Sequence, residues 1–468
     1  MRKLGAGLAL VLMAGLLAGP AATAPSAGFD TARPAMLAPL EPGIVIDPIL
    51  STGDVVGGYQ MSGIPDGLGA YKSGATKLTL MMNHELDRTL PDSPAGVGSR
   101  ISKLILERHS RTVLSASYPF TGLEGFVRFC SSTLEVIKGT PWYFTGEEDV
   151  PSAGRGGSSI AMNAETGDWV ETRHFGLILH ENNVPVERLS KAMIVTTDDD
   201  FRAPTQQEPH IAAYLYAYIA DTWEGAISGD EGSLYVWRAD EGDSPNDIQK
   251  GETIPGRFVP ITQAENATGE TLELASHAKG GFKFVRLEDA ATAQQHAGRL
   301  YFVDTGRLPS EDVKGSLYQF DIDPTDPTRA SLTLLLKGDL GDDLVNPDNI
   351  DTSPHSVVIQ EDRNSEHRGP IGTVAGRPND PGFGRILVYD IKSGAVRPVA
   401  FANTPPPLRP GEWESSGVIN AQSFFGADWW LVDVQAHSTF IAQPGASLTP
   451  NSGSGEDGQL LAIKIPNS

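Results

Sequence analysis

A single cysteine, Cys130, stands in 468 residues, so no disulfide can close within the chain. It does not sit at a cleavage site, and a lipid anchor is not indicated. Basic residues are scarce too: 36 Lys and Arg face 59 Asp and Glu, for a formal charge of −23. That sign excludes nucleic acid as a natural partner, because phosphate backbones are bound through basic footprints. It also disfavours an anionic membrane surface and attracts divalent cations instead. Long apolar runs are missing. The run 4–18 that follows Arg2-Lys3 falls short of the ~20 residues of a membrane span. With the small residues Ala22-Thr23-Ala24 it reads as a secretory signal over 1–24. The expectation is an exported protein, periplasmic or extracellular, without a membrane anchor and monomeric. Helical periodicity is scarce after residue 24. The best helix candidates, 98–108 and 209–220, are short.

What is abundant points to strands. Hydrophobic residues make up 40% of the chain, enough for a large core, while 51 Gly and 34 Pro exceed the roughly 12% of an average protein. Five runs begin with glycine and alternate apolar positions, at Gly157, Gly232, Gly315, Gly384 and Gly458. An irregular spacing of this kind suggests repeated units joined by loops of varying length. Six more continuous apolar runs end in acids or histidine: 78–85, 142–149, 193–200, 300–304, 357–362 and 429–437. Continuous apolar strands are covered on both faces. In a β-propeller the innermost strand of each blade ends at the mouth of a central channel. The reading is all-β: a six-bladed β-propeller over 25–468, with the six runs innermost and a few short helices. Loop insertions are expected at 239–273, 363–383 and 404–410, with a flexible Gly/Ser-rich segment near 445–458.

Acidic and amide side chains cluster at the ends of these runs: Asn83-His84-Glu85, Glu147-Glu148, His180-Glu181, Arg286 and Glu288, Asp348-Asn349, Glu361-Asp362, and Glu412 with Glu414. Calcium takes six to eight oxygen ligands, and this inventory could serve several ions. Neither the EF-hand pattern nor an H-E-x-x-H zinc helix is present. Calcium does not favour thiolate, whereas iron and zinc do. Cys130 is therefore either a small buried hydrophobe or the ligand of a transition metal beside the hard cations.

The order of these motifs resembles the PhoX-type alkaline phosphatases. It runs NHE at 83–85, Cys130 before TPW and Glu147-Glu148, HE at 180–181, and RxE at 286–288. PDN at 347–349 with ED at 361–362, ExSG at 414–417 and VDVQ at 432–435 complete it. Departures are Ser131-Ser132 where that family has Gly-Gly, Tyr143-Phe144 where it has Gly-Thr, and a start without twin arginines. The resemblance implies a cluster of Fe3+ and Ca2+ ions in the propeller channel and hydrolysis of small-molecule phosphate monoesters. By motif, Cys130 would be the iron ligand. The metal carboxylates would be Glu85, Glu147, Glu148, Glu181, Glu288, Asp348, Glu361, Asp362 and Glu414. Arg286 would grip the phosphate, with Glu288 beside it in the catalytic site. Two other classes share such an acidic channel: a calcium phytase or lactonase, whose sites need no thiolate, and a non-catalytic calcium-stabilised binding propeller.

Overall fold

The computed structural model describes residues 28–87, 98–149, 155–261, 269–308, 310, 312–363, 380–440 and 455–468. The signal segment 1–24, and most of the segments 363–383 and 445–458, lie outside them.

The strands form antiparallel sheets of four meandering strands. Blade 1 comprises Pro65–Lys72, Lys77–His84, Arg100–Glu107 and Val113–Phe120. Blade 2 comprises Phe129–Ile137, Thr140–Glu147, Ser159–Asn163 and Trp169–Glu171. Blade 3 runs through His180–Pro185, Ala192–Asp198, Leu215–Ala220 and Ser233–Ala239, and blade 4 through Leu287–Thr292, Arg299–Asp304, Ser316–Ile322 and Arg329–Lys337. The strand Thr253–Pro260 pairs with the outer strand of both, so blades 3 and 4 share one nine-stranded sheet. Blade 5 holds Pro347–Thr352, Ser356–Glu361, Arg385–Asp390 and Val396–Ala402, extended by Leu37–Pro39. Blade 6 holds Glu414–Asn420, Trp429–Phe440 and Glu456–Lys464, and its fourth strand is the N-terminal Val45–Ser51. The first strands of the blades touch one another in a closed ring, 1 to 6 and back to 1. Six apolar clusters fill the six seams between neighbouring blades. This is a β-propeller.

The six apolar runs fall one per blade, but on the second strands rather than the innermost. The reason is coverage. Leu78, Leu80 and Met82 pack into the seam with blade 6, while Met81 packs into the seam with blade 2. The innermost strands line a polar channel and are themselves polar: PDGLGAYK, FCSSTLEVI, HENNVP, LEDAAT, PDNIDT and ESSGVIN. Four of the five glycine-started runs are third strands.

Both expected helices are strands. In Leu215–Ala220 and the residue before it, Tyr214, Tyr216 and Tyr218 face the blade 2 seam, and Leu215, Ala217 and Ile219 face the blade 4 seam. A period of two with both faces buried suits a strand. Arg100–Glu107 likewise pairs along its length with Lys77–His84. The helices are short: Trp223–Ser228, Gly269–Ala278 and Gln422–Phe425. The segment 239–273, expected as a loop, contains the strand that joins blades 3 and 4 and the start of the second helix. Among the described residues no helix is long and apolar enough to cross a membrane.

Candidate metal centre

The site begins with a local irregularity repeated around the ring. In blades 1 to 5, the first three steps of the inner strand match only two of its neighbour. Pro65 faces His84 while Leu68 faces Met82; Phe129 faces Glu147 while Ser132 faces Thr145. The same shift follows His180, Leu287 and Pro347. Such a bulge re-aims the extra residue. The second residue of each strand falls in it: Asp66, Cys130, Glu181, Glu288 and Asp348. In blade 6 the shift comes later, at Gly417, and Glu414 opens the strand. A side chain at Gly417 would sit 2.6 Å from Asp433 Oδ2. The residue before the strand takes a left-handed backbone in four blades: Ile64 (φ 36°), Arg128 (48°), Arg286 (60°) and Asn346 (47°). That conformation is costly for residues with a Cβ.

A second set of acids enters where the second strands end: Glu85, Glu148, Asp199 and Asp362 follow His84, Glu147, Asp198 and Glu361. Both sets line one cavity of 340 Å³ at the channel mouth, with Arg128, Phe201, Arg286, Arg363, Gln435 and His437. Three triads have ligand atoms all within 4.8 Å of one another: Asp66–Glu85–Cys130, Cys130–Glu148–Glu181 and Glu181–Glu288–Asp348. Cys130 and Glu181 each belong to two. The floor is polar: Ser416 Oγ lies 2.7 Å from Asp66 Oδ1 and 2.8 Å from Asn349 Oδ1, and Asn349 Nδ2 donates to Ser131 Oγ at 2.5 Å. Asn83 Nδ2 donates to the Cys130 carbonyl at 2.6 Å.

Cys130 is not wrapped in apolar side chains. Its Sγ donates to Glu148 Oε2 at 3.1 Å. Burial, then the neighbouring Glu181, Glu85 and Glu148, push its thiol well up. Burial and mutual repulsion likewise raise the carboxyls of Asp66, Glu181, Glu288, Asp348 and Asp362. Glu181 Oε1 is buried without a hydrogen-bond partner. Like-charged groups this close hold protons unless a cation replaces them. The oxygen donors suit calcium, and one thiol among them suits a softer ion such as iron. The donor set fits the ions that the motif resemblance implies.

Cations close the rim. Arg286 sets its Nε and Nη2 against Asp199 (3.1 and 2.8 Å), with Glu288 at 3.3 Å and Asp362 at 3.5 Å. Arg128 pairs with Glu148 at 2.7 Å and Glu85 at 3.5 Å. His437 bridges Glu414 and Glu456, each at 3.0 Å. Burial opposes its charge, but those carboxylates push it up to about 10.

Eight of the ten expected metal residues line the cavity: Glu85, Cys130, Glu148, Glu181, Glu288, Asp348, Asp362 and Glu414, with Arg286 beside them. Glu147 and Glu361 do not. Alternation along an extended chain turns each away from the acid that follows it. Glu147 accepts from the backbone N–H groups of Val127 (3.0 Å) and Ser158 (3.1 Å). Glu361 takes the buried Arg385 fork at 2.6 and 2.7 Å. The histidines of the motifs are structural as well. His84 bonds Ser102 and Gly63, His180 bonds Gly176, and burial lowers them to about 3 and about 4. Sequence reasoning missed Asp66, Asp199, Arg128, Arg363 and His437. Pro65-Asp66 had a signal, since Pro347-Asp348 repeats the dipeptide at the same place in blade 5. Asp199 was hidden inside the run Asp198-Asp199-Asp200.

No family model and no curated protein matches the chain. Among solved structures, it is similar to a thermostable family-43 glycoside hydrolase (10% identity, 75% of this chain and 97% of that one, TM-score 0.36). It is also similar to the β-propeller domain of the Trilobed protease from Pyrococcus furiosus (9%, 81% and 92%, TM-score 0.33). A third is an acylaminoacyl peptidase in complex with a chloromethyl ketone (8%, 84% of this chain and about half, 52%, of that one, TM-score 0.32).

Proposed function

We propose that the chain is a metal-dependent hydrolase of phosphate monoesters, of the PhoX type. The observation that carries this reading is the meeting, in one cavity, of Cys130, a ring of buried carboxylates and Arg286. Cys130, Glu148 and Glu181 would hold a thiolate-tolerant ion such as ferric iron; Asp66 with Glu85, and Glu288 with Asp348, would hold calcium. Bound ions of this kind supply Lewis acidity toward phosphoryl oxygens.

The chain's own residues supply binding and orientation. Asp199 holds the Arg286 guanidinium by its Nε–Nη2 edge, which fixes its plane and directs Nη1 toward Asp362. A planar fork suits the oxygens of a phosphoryl group. Phosphoryl transfer needs little beyond positioning and charge neutralisation. At a net charge of −23 the surface as a whole repels phosphate esters, and nine carboxylates line the cavity itself, so a local exception would take bound cations together with the three rim arginines.

The test is p-nitrophenyl phosphate hydrolysis at alkaline pH, with calcium and with EGTA, the fold being followed by circular dichroism. Calcium-reversible release of p-nitrophenol is expected, and Arg286→Ala should lower kcat/KM at least a hundredfold. Calcium-loaded, folded protein that releases nothing would sink the reading.

A further inference from the structure

Arg128 and Arg286 occupy the same place in two blades. Each immediately precedes the inner strand, at Phe129 and Leu287, and each has a left-handed backbone, φ 48° and 60°. Each lines the cavity and lies two residues before a candidate ligand, Cys130 or Glu288. Ile64 and Asn346 share the conformation in blades 1 and 5, so the backbone belongs to the fold. Placing arginine there is particular to blades 2 and 4. The two also differ in depth: the Arg286 side chain is 13% exposed and that of Arg128 is 30%. Phe201, from the loop after blade 3's second strand, stands 5.9 Å from the Arg128 guanidinium and lines the same cavity.

We infer that Arg128 and Phe201 form a subsite for the alcohol portion of the substrate, selecting phosphate esters whose alcohol carries a second negative charge. The inference rests on the phosphomonoesterase reading. Arg286, the deeper cation, takes the phosphoryl group. Arg128, nearer solvent, meets what is attached to it, and Phe201 offers an apolar wall to the connecting carbons. The ion pairs of Arg128 with Glu148 and Glu85 hold its guanidinium at the rim.

The experiment compares kcat/KM for 4-carboxyphenyl phosphate and phenyl phosphate in the calcium-loaded full chain, for the wild type, Arg128→Gln and Arg128→Lys. The ratio of the two esters within one variant cancels general damage to the centre, and comparing ratios between variants cancels the different leaving groups. Arg128→Gln should lower the preference for the carboxylated ester about tenfold, equivalent to about 1.4 kcal/mol, and Arg128→Lys should lower it less. Arg286→Ala should reduce both esters alike. If phenyl phosphate is hydrolysed and the ratio is the same in wild type and Arg128→Gln, the subsite is wrong and the phosphatase reading stands. If folded, calcium-loaded wild type hydrolyses neither ester, the phosphatase reading falls and the subsite with it.

Discussion

Glu181→Gln should change the stability of this protein in opposite directions with and without cations. Glu181 belongs to two of the three ligand triads, is 2% exposed, and has one carboxylate oxygen without a hydrogen-bond partner. Two unit charges within 4.8 Å of each other, at an effective dielectric near 20, repel by at least about 3.5 kcal/mol. Glu148, Glu288 and Asp348 all share triads with Glu181. Protons taken up by the cluster relieve much of this repulsion, leaving a gain of roughly 2 kcal/mol on removing one charge. Unfolding entropy for a chain of this size is about 1 kcal/mol/K, so the Tm of the EGTA-treated variant should rise by about 2 °C. With calcium the sign reverses. A site that loses a charged ligand binds more weakly, and each tenfold in Kd removes about 1.4 kcal/mol of linkage stabilisation. Two calorimetric scans of each protein, in EGTA and in millimolar calcium, measure both effects. A variant that is less stable in both conditions would mean that Glu181 is a structural acid and that the cavity is not built for cations.

Three further outcomes follow from the same geometry. Glu361→Gln, which takes one carboxylate from the buried Arg385 and leaves it Asp343 at 2.8 Å and Asp380 at 3.5 Å, should cost about 1.5–3 kcal/mol equally in calcium and EGTA, as read by denaturant unfolding. Equal losses would place Glu361 in the scaffold; a loss seen only with calcium would make it a ligand. Gly417→Ala puts a Cβ 2.6 Å from Asp433 Oδ2 and 2.7 Å from the Asp66 carbonyl oxygen at φ 48°, so it should lower Tm and weaken calcium binding together. A drop in Tm with unchanged calcium affinity would detach that bulge from the site. In EGTA, stability should fall as pH rises from 5 to 8. Burial pushes Glu147 and Asp289 up to about 7 and Asp351 up to about 6. Raised folded-state values stabilise below the unfolded pKa, near 4, and that stability is lost as pH climbs through the folded ones. Calcium binding displaces protons from the cavity carboxyls and should remove their share of the slope, leaving the share of these three acids outside the cavity; a Tm that rises with pH in EGTA would contradict the burial.

Much of the architecture was legible along the chain, because it depends on local pattern. The six apolar runs do mark six blades, one each, since a second strand packs into a seam on either side and must be apolar on both faces. The acids after those runs also marked the channel mouth, for Glu85, Glu148 and Asp362 follow directly from strand alternation. Other features were decided only by tertiary structure. Which strand is innermost depends on the channel being polar, and a polar strand such as HENNVP has no one-dimensional signature. The helices expected at 98–108 and 209–220 gave way to strands because seams on both sides outweigh local propensity.

The division within the acidic pairs was settled the same way. Glu147 and Glu148 are adjacent and chemically alike. The bulge at Cys130 and the backbone donors of Val127 and Ser158 turn one into scaffold and leave the other in the cavity. Asp199 and Arg128 could be found only once the ring had closed, because their partners lie in other blades or far along the chain. Composition and periodicity determined that this protein is a strand-rich, acidic propeller. Which carboxylates converge was determined by bulges, left-handed residues and the closure of blade 6 by the N-terminal strand, since the directions of side chains from six blades are set jointly.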